Sequence, residues 1–268
     1  MRFCVLGSGS RGNCTYVEAG KTRILIDAGF SGIEIERRLS AVGVDISSLS
    51  AILTTHEHSD HVRGIGILSR KFGLPVFANH ATFRAAEKEI KKTFAFHEFS
   101  SGASFHFQDL RIHPFSISHD AADPVGFVIE NSTQSIGYCT DTGAVSRLMR
   151  YRLAGCNGLV LESNHDLEML KNGPYPYYLK QRVRSTSGHL ANGEAAGFLE
   201  DLLHDGLTHV VLAHISETNN TPQMVQSAVE AMLSSRNGGN GGDFSTYISL
   251  AAQDRPGRLL DLELRQAP

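Results

Sequence analysis

At 268 residues with 41% hydrophobic content, the chain is long enough to bury a large core, and one domain over 1–268 accounts for it. A formal net charge of −3 excludes a protein drawn to nucleic acid or anionic membrane by its overall field, so any nucleic-acid contact must come from a local patch. The N-terminal apolar run stops at Leu6, no later run approaches membrane-spanning length, and Cys4, Cys14, Cys139 and Cys156 form no CxxC pair; a cytoplasmic, reducing setting without membrane attachment is expected.

Arg2 to Leu6, Thr15 to Glu18 and Thr22 to Ile26 are predicted as short strands joined by glycine-containing turns, followed by an amphipathic helix from Ile33 to Val42. The turn Gly7-Ser8-Gly9-Ser10-Arg11-Gly12 spells GxGxxG, but Asn13 to Glu18 alternates like a strand where a dinucleotide fingerprint needs a helix. No Gly-Lys-Ser/Thr ending makes it a P-loop either. Leu49 to Thr54 reads as a buried strand that runs out into Thr55-His56-Glu57-His58-Ser59-Asp60-His61. Three imidazoles and the Asp60 carboxylate within six residues are ligand chemistry for first-row metals, because positive-capable rings so crowded need something to neutralise or bind them. Side chains two apart on extended chain share a face, so His56 and His58 can grip one cation, while Asp60 and His61 on the turning backbone reach a second.

Further along, Ile65 to Phe72 is predicted as helix, Pro75 to Ala78 as strand, Ala81 to Lys91 as helix, and Phe94 through Cys139 as a series of strands. A second half follows: a helix near Val145 to Leu153, a buried strand Gly158 to Leu161, a helix opened by Asn192, a strand Thr208 to Ala213, and a helix opened by Thr221 with Pro222 in its first turn. Two β-rich halves flanked by helices suit two sheets packed face to face with helices outside, although the pattern alone fits other α+β layouts. Asn237-Gly238-Gly239-Asn240-Gly241-Gly242 reads as a mobile loop before the last strands. Tyr175-Pro176-Tyr177-Tyr178-Leu179-Lys180-Gln181-Arg182-Val183-Arg184 places aromatics that can stack on bases ahead of Lys180, Arg182 and Arg184, which can bind phosphates. The competing reading is a solvated helix face with packed tyrosines.

The run His56-Glu57-His58-Ser59-Asp60-His61 resembles the HxHxDH signature of the metallo-β-lactamase superfamily, and the resemblance extends over nearly the whole chain. Within it, Leu6 to Asn13, Glu162-Ser163-Asn164-His165-Asp166, Ser187-Gly188-His189-Leu190 and Leu212-Ala213-His214-Ile215-Ser216 look most like the YycJ (WalJ/VicX) group. That group lies close to the RNase Z type of phosphodiesterases, and its members are described as DNA exonucleases. The resemblance implies a four-layer αββα sandwich, two divalent metal ions with zinc ahead of manganese or iron, and hydrolysis of phosphodiesters in nucleic acid, DNA ahead of RNA. Such a pair of ions, roughly 3.5 to 4 Å apart, would generate a nucleophilic water and hold the phosphate.

The same resemblance implies that His119, Asp141 and His214 complete the ligand set. Each follows an apolar strand, where loops carry function: Ile112 to Ser118, Ile136 to Thr140 and Val210 to Ala213. The expected assignment puts His56, His58 and His119 on one ion, Asp60, His61 and His214 on the other, and Asp141 between them. His189 is similar to the non-ligand catalytic histidine of the RNase Z type, expected as general acid, and Glu162 to its carboxylate partner. Asp27 is similar to the aspartate that orients the histidine loop; capping the Gly29 turn is its competing reading. Substrate contacts are expected from Ser8, Ser10 and Asn13 on the glycine-rich turn and from Ser187 and Asn192 near a helix start, with His165 a rival ligand for phosphate or metal. An alternative is a hydrolase of a small phosphodiester, thioester or lactone, with a closed pocket instead of an open basic groove. More distant are a redox or sensor protein with a di-iron centre, a branch that typically has glutamate where this chain has His58 and carries an appended flavin domain, and a metal-stabilised binding module without turnover, which has little need for open coordination positions.

Overall fold

The computed structural model describes residues 1–236 and 246–264, so the glycine-rich segment from Asn237 to Gly242 lies outside the described residues. β1 (Arg2–Gly7), β2 (Cys14–Ala19) and β3 (Thr22–Ile26) form an antiparallel meander. A strand therefore follows the GxGxxG turn, as its alternation requires. Then come α1 (Gly32–Ala41), a single 3-10 turn (Ile46–Ser48), β4 (Ala51–Leu53), the one-turn α2 (Ser59–Val62), α3 (Ile65–Phe72), β5 (Pro75–Ala78), α4 (His80–Ile90) and β6 (Ala95–Glu98). From β3 to β6 the pairing is parallel, which the intervening helices make possible.

The second half opens antiparallel with β7 (Phe105–Phe107), β8 (Leu110–Ser116), β9 (Val125–Glu130) and β10 (Ser135–Cys139). It continues parallel through α5 (Arg147–Leu153), β11 (Gly158–Glu162), α6 (Leu167–Asn172), α7 (Tyr177–Arg184), α8 (Asn192–Leu202), β12 (His209–Ala213), α9 (Pro222–Arg236) and β13 (Tyr247–Leu250). β14 (Leu260–Asp261) returns to the far edge of the first sheet beside β1. The sheet orders are β14-β1-β2-β3-β4-β5-β6 and β13-β12-β11-β10-β9-β8-β7.

Side-chain alternation sorts the core into layers. Ile24 and Ile26 of β3, Tyr138 of β10, Val160 of β11 and Val211 of β12 meet between the sheets. Their neighbours face outward: Leu25 lies under α1 and α3 with Ile35 and Leu68, while Leu159, Leu161 and Leu212 lie under α5, α8 and α9 with Met149, Phe198 and Val225. Strands apolar on both faces are what a sheet covered on both sides demands, and the result is the four-layer αββα sandwich.

Predicted and observed bounds coincide for β3, α3 and β5. The strand expected over Leu49 to Thr54 shortens to β4, because Leu49 closes the 3-10 turn through its N–H to the Ile46 carbonyl. Helix starts are set by side-chain caps: Ser31 Oγ accepts from the Glu34 N–H, and Asn79 Oδ1 from the Thr82 N–H. Asn192 is the first residue of α8 rather than its cap, with Ala191 before it. The exits of β3, β4, β8, β10, β11 and β12 gather at one edge of the sandwich, where the outer ends of parallel strands offer loops for chemistry.

Candidate metal centre and active site

Three imidazole nitrogens converge at the first node. His56 Nε2 lies 3.1 Å from His58 Nδ1, which lies 3.3 Å from His119 Nε2. Hydrogen bonds on the far side of two rings decide the tautomers: His56 Nδ1 sits 2.9 Å from Thr55 Oγ1, itself committed as donor to Asp27, and His119 Nδ1 donates to the Gly188 carbonyl. The Nε2 lone pairs of both rings therefore point inward. Donors on a tetrahedron with metal–nitrogen bonds of about 2.0–2.1 Å stand about 3.3 Å apart, so these spacings fit a divalent cation.

The second node gathers Asp60, His61 and His214. Asp141 stands between the nodes, its Oδ2 3.5 Å from His61 Nε2 and its Oδ1 3.3 Å from His214 Nε2. Asp141 Oδ2 and His214 Nε2 are buried without a hydrogen-bond partner. Buried polar atoms are rarely left so, and the mixed nitrogen and carboxylate set suits a cation that would satisfy both. Asp27 is wholly buried and accepts from His61 Nδ1 at 2.7 Å, from the Thr55 N–H and from Thr55 Oγ1, which turns His61 Nε2 toward the node.

Backbone geometry is spent on this arrangement. Among the described non-glycine residues with positive φ are Asp27, Asp141 and His214, at 60°, 60° and 56°, all at strand exits. Such left-handed residues cost about 1–2 kcal/mol each and persist where their surroundings over-determine them. Close approach matters too: a Cβ on Gly29 would stand 1.6 Å from the Asp60 carbonyl oxygen, so only glycine lets the β3 exit lie against the metal loop.

The two nodes differ electrostatically. Burial holds His56 well below the usual imidazole range, and His119 below it as well. Burial also opposes charge on His61 and His214, yet Asp141, Asp27 and Asp60 raise His61 to about 10, and Asp141 and Glu162 raise His214 to about 9. Without metal the second node thus keeps its protons at neutral pH. Because a cation must displace them, second-ion affinity is expected to rise with pH up to those values and to fall in acid, with roughly two protons released per ion near neutrality. Metal titrations at pH 6, 7 and 8, with proton release measured in buffers of different ionisation enthalpy, check this; pH-independent uptake of both ions contradicts it.

His189, an exposed fifth of its side chain aside, is enclosed between the nodes, its ring centroid 5.1 Å from that of His119 and 5.0 Å from that of His214. Its Nδ1 donates to Glu162 Oε1 at 2.8 Å, and the same oxygen accepts from His214 Nδ1 at 2.9 Å. Glu162 Oε2 accepts the N–H groups of Thr142 and Leu190. Burial pushes the Glu162 carboxyl up, but His189 and His214 bring it down to about 2, so it stays ionised. One carboxylate oxygen therefore orients both the His214 imidazole at the second node and the neighbouring His189.

The other predicted residues are placed as follows. Ser8 is buried, donates to Asn13 Oδ1 and accepts from the His214 N–H. The Asn13 amide, also buried, donates to Asp60 Oδ2 and lies 3.0 Å from His61 Nε2, so both residues brace the second node from within. Ser10 is exposed on the turn and Ser187 half-buried beside Gly188. Asn192 is paired with Asn220 and accepts from Ser163 Oγ. His165 is buried with both ring nitrogens unpartnered, and burial lowers it to about 4. Lys180 reaches the Lys171 carbonyl, Arg182 Nε donates to Asp120 Oδ2 at 2.5 Å, and Arg184 is exposed. Sequence reasoning missed Thr55, although it adjoins the histidine run, and Asn164, whose amide donates to the His214 carbonyl at 2.8 Å with no local signal to mark it.

Residues 22–215 match the model of the Beta-lactamase superfamily domain. The chain is 40% identical over 249 residues to exodeoxyribonuclease YycJ of Bacillus anthracis, covering 92% of this chain and 94% of that protein. It is 37% identical over 250 residues to exodeoxyribonuclease WalJ of Streptococcus pneumoniae, covering 92% and 93%. The crystal structure of the metallo-β-lactamase fold protein YhfI from Bacillus subtilis superposes with a TM-score of 0.72 at 15% identity, covering 96% of this chain and 99% of that one, a likeness of fold.

Proposed function

The chain belongs to the beta-lactamase superfamily, and from that premise we propose that it is a metal-dependent phosphodiesterase acting on nucleic acid, an exodeoxyribonuclease. The observation that carries the reading is the Glu162–His189 pair set between two convergent metal nodes. Relatives with that printed activity align over nine-tenths of both chains. His56, His58 and His119 would hold one divalent ion and Asp60, His61 and His214 a second, with Asp141 between them; zinc ahead of manganese or iron, such ions would supply a nucleophilic water at neutral pH and charge to offset the phosphate.

The chain's own residues do the rest. Asp27, Thr55, Gly188 and Glu162 hold the ligand imidazoles in one tautomer, so their lone pairs are in place before substrate arrives. Asn13 steadies Asp60. His189, with Nδ1–H fixed on Glu162, gives a proton from Nε2 to the departing alkoxide and keeps its Nδ1 proton throughout. His58, Asp60 and His189 are all partly exposed, an open face that suits a polymer better than an enclosed small molecule.

The four cysteines are free and buried, in keeping with the proposed cytoplasmic setting. Among the described residues no helix is long and apolar enough to cross a membrane. The chain is read as one domain, since the layer between the sheets draws on strands from β1 to β14.

The test is a nuclease panel on chelated protein reloaded with zinc, manganese or iron, using 5′-phosphorylated and unphosphorylated DNA and RNA of one sequence. DNA is expected to shorten from an end faster than RNA. A fully loaded protein that hydrolyses a small phosphodiester but no polymer would point to the small-substrate alternative.

A further inference from the structure

The helix α7 stands apart from the others. Its residues Tyr177–Arg184 include none that is buried, and Tyr177 and Tyr178 are 77% and 74% exposed. The tyrosines expected to pack in the solvated-face reading therefore do not. From Tyr175 to His189 the sequence holds no Asp or Glu, while Lys180, Arg182 and Arg184 are cationic, in a chain whose net charge is −3.

This exposed element is coupled directly to the metal nodes. Arg182 Nε donates to Asp120, whose other carboxylate oxygen lies 3.4 Å from His119 Nε2. The His189 N–H donates to the Val183 carbonyl, and the loop that closes the helix supplies the Gly188 carbonyl to His119 Nδ1. Among the described residues, Arg182 is paired through Nε alone, which leaves its terminal nitrogens for an anion.

Helical spacing then orders the surface. Tyr177, Gln181 and Arg184 share one row, and Tyr178 and Arg182 another, so the cationic level lies about 6 Å (Tyr178 to Arg182) to about 10.5 Å (Tyr177 to Arg184) along the helix from the aromatic one. The cationic level is the end joined to His119 and His189.

We propose that α7 is a docking platform for single-stranded DNA, on which Tyr177 and Tyr178 stack bases while Arg182 and Arg184 hold the backbone of the strand entering the metal centre. The proposal rests on the nuclease reading above and narrows its substrate. Bases can lie on tyrosine rings only when they are free of their own stack and partner, which a single strand allows and an intact duplex does not. The backbone anion complements the acid-free run.

The experiment measures fluorescence anisotropy of a labelled single-stranded oligonucleotide, and of the blunt duplex of the same sequence, on metal-loaded protein carrying His189→Ala to prevent cleavage. Adding Tyr177→Ala and Tyr178→Ala is expected to raise the single-strand Kd at least about 10-fold, since each stacked base contributes about that much affinity. Tyr177→Phe with Tyr178→Phe keeps the rings and is expected to restore binding to within about 3-fold, a rescue that a role of the hydroxyls does not give. An unchanged single-strand Kd in the alanine protein overturns the proposal, as does a duplex that binds as tightly as the single strand. Hydrolysis by the wild type is read separately: failure on every oligonucleotide strikes the nuclease reading, whereas hydrolysis together with tyrosine-independent binding strikes the platform alone.

Discussion

Asp141→Asn is expected to cost the protein its second metal ion and to lower DNA hydrolysis by more than the roughly 10²–10⁴-fold that loss of one proton-transfer group brings. Asparagine, like aspartate, tolerates the left-handed backbone found at φ 60°, so the substitution removes charge and leaves the turn intact. What disappears is the carboxylate that faces His61 on one side and His214 on the other. Burial opposes ionisation of Asp141, yet His214, His61 and His56 hold it well below the usual carboxylate range. Removing that charge leaves the buried His61 and His214 with Asp27, Asp60 and Glu162 as their remaining counter-ions, and truncating one member of a buried ionic set costs about 3–5 kcal/mol. Metal content by mass spectrometry, nuclease rate and thermal unfolding together separate loss of ligand from loss of fold. A folded variant with both ions and a near-wild-type rate would remove Asp141 from the centre.

The second large effect falls on His189→Ala. The side chains proposed as metal ligands are left in place, so metal content is expected to match the wild type while DNA hydrolysis falls roughly 10²–10⁴-fold. The deficit is expected to shrink on bis(p-nitrophenyl) phosphate, whose leaving group departs as a stable anion and needs no proton. A rate lost equally on both substrates would mean that His189 does not act as the acid. Glu162→Gln gives a different pattern, because the carboxylate braces His214 as well as His189. Rate and metal retention are expected to fall together there, the latter by about 10–100-fold in affinity, the range for partners that orient metal-binding histidines.

The metal loop was legible because its chemistry is local: His56, His58, Asp60 and His61 lie on one strand exit, and their spacing alone suggests two cations. The strands were legible for a similar reason, since residues such as Leu25 and Ile26 bury opposite faces of the same sheet. What the sequence hid is built from contacts between distant segments. Glu162 meets His189 and His214 across 27 and 52 residues, and nothing local announces that one oxygen serves both. Ser8 and Asn13 were expected to face substrate, but the glycine-rich turn folds back so that the Asn13 N–H meets the Asp60 carbonyl and its amide braces the ligands. Arg182 appeared simply cationic, and its pairing with Asp120 emerges only when α7 lies against the loop after β8.

The left-handed turns at Asp27, Asp141 and His214 make these positions poor targets for heat-hardening. Glycine at any of them would relax about 1 kcal/mol of backbone strain, but at Asp27 and Asp141 it would also strip a buried carboxylate from its imidazoles, a loss of about 3–5 kcal/mol that outweighs the gain. An engineer raising the melting temperature of this chain by putting glycine at left-handed residues would therefore have to leave these turns alone.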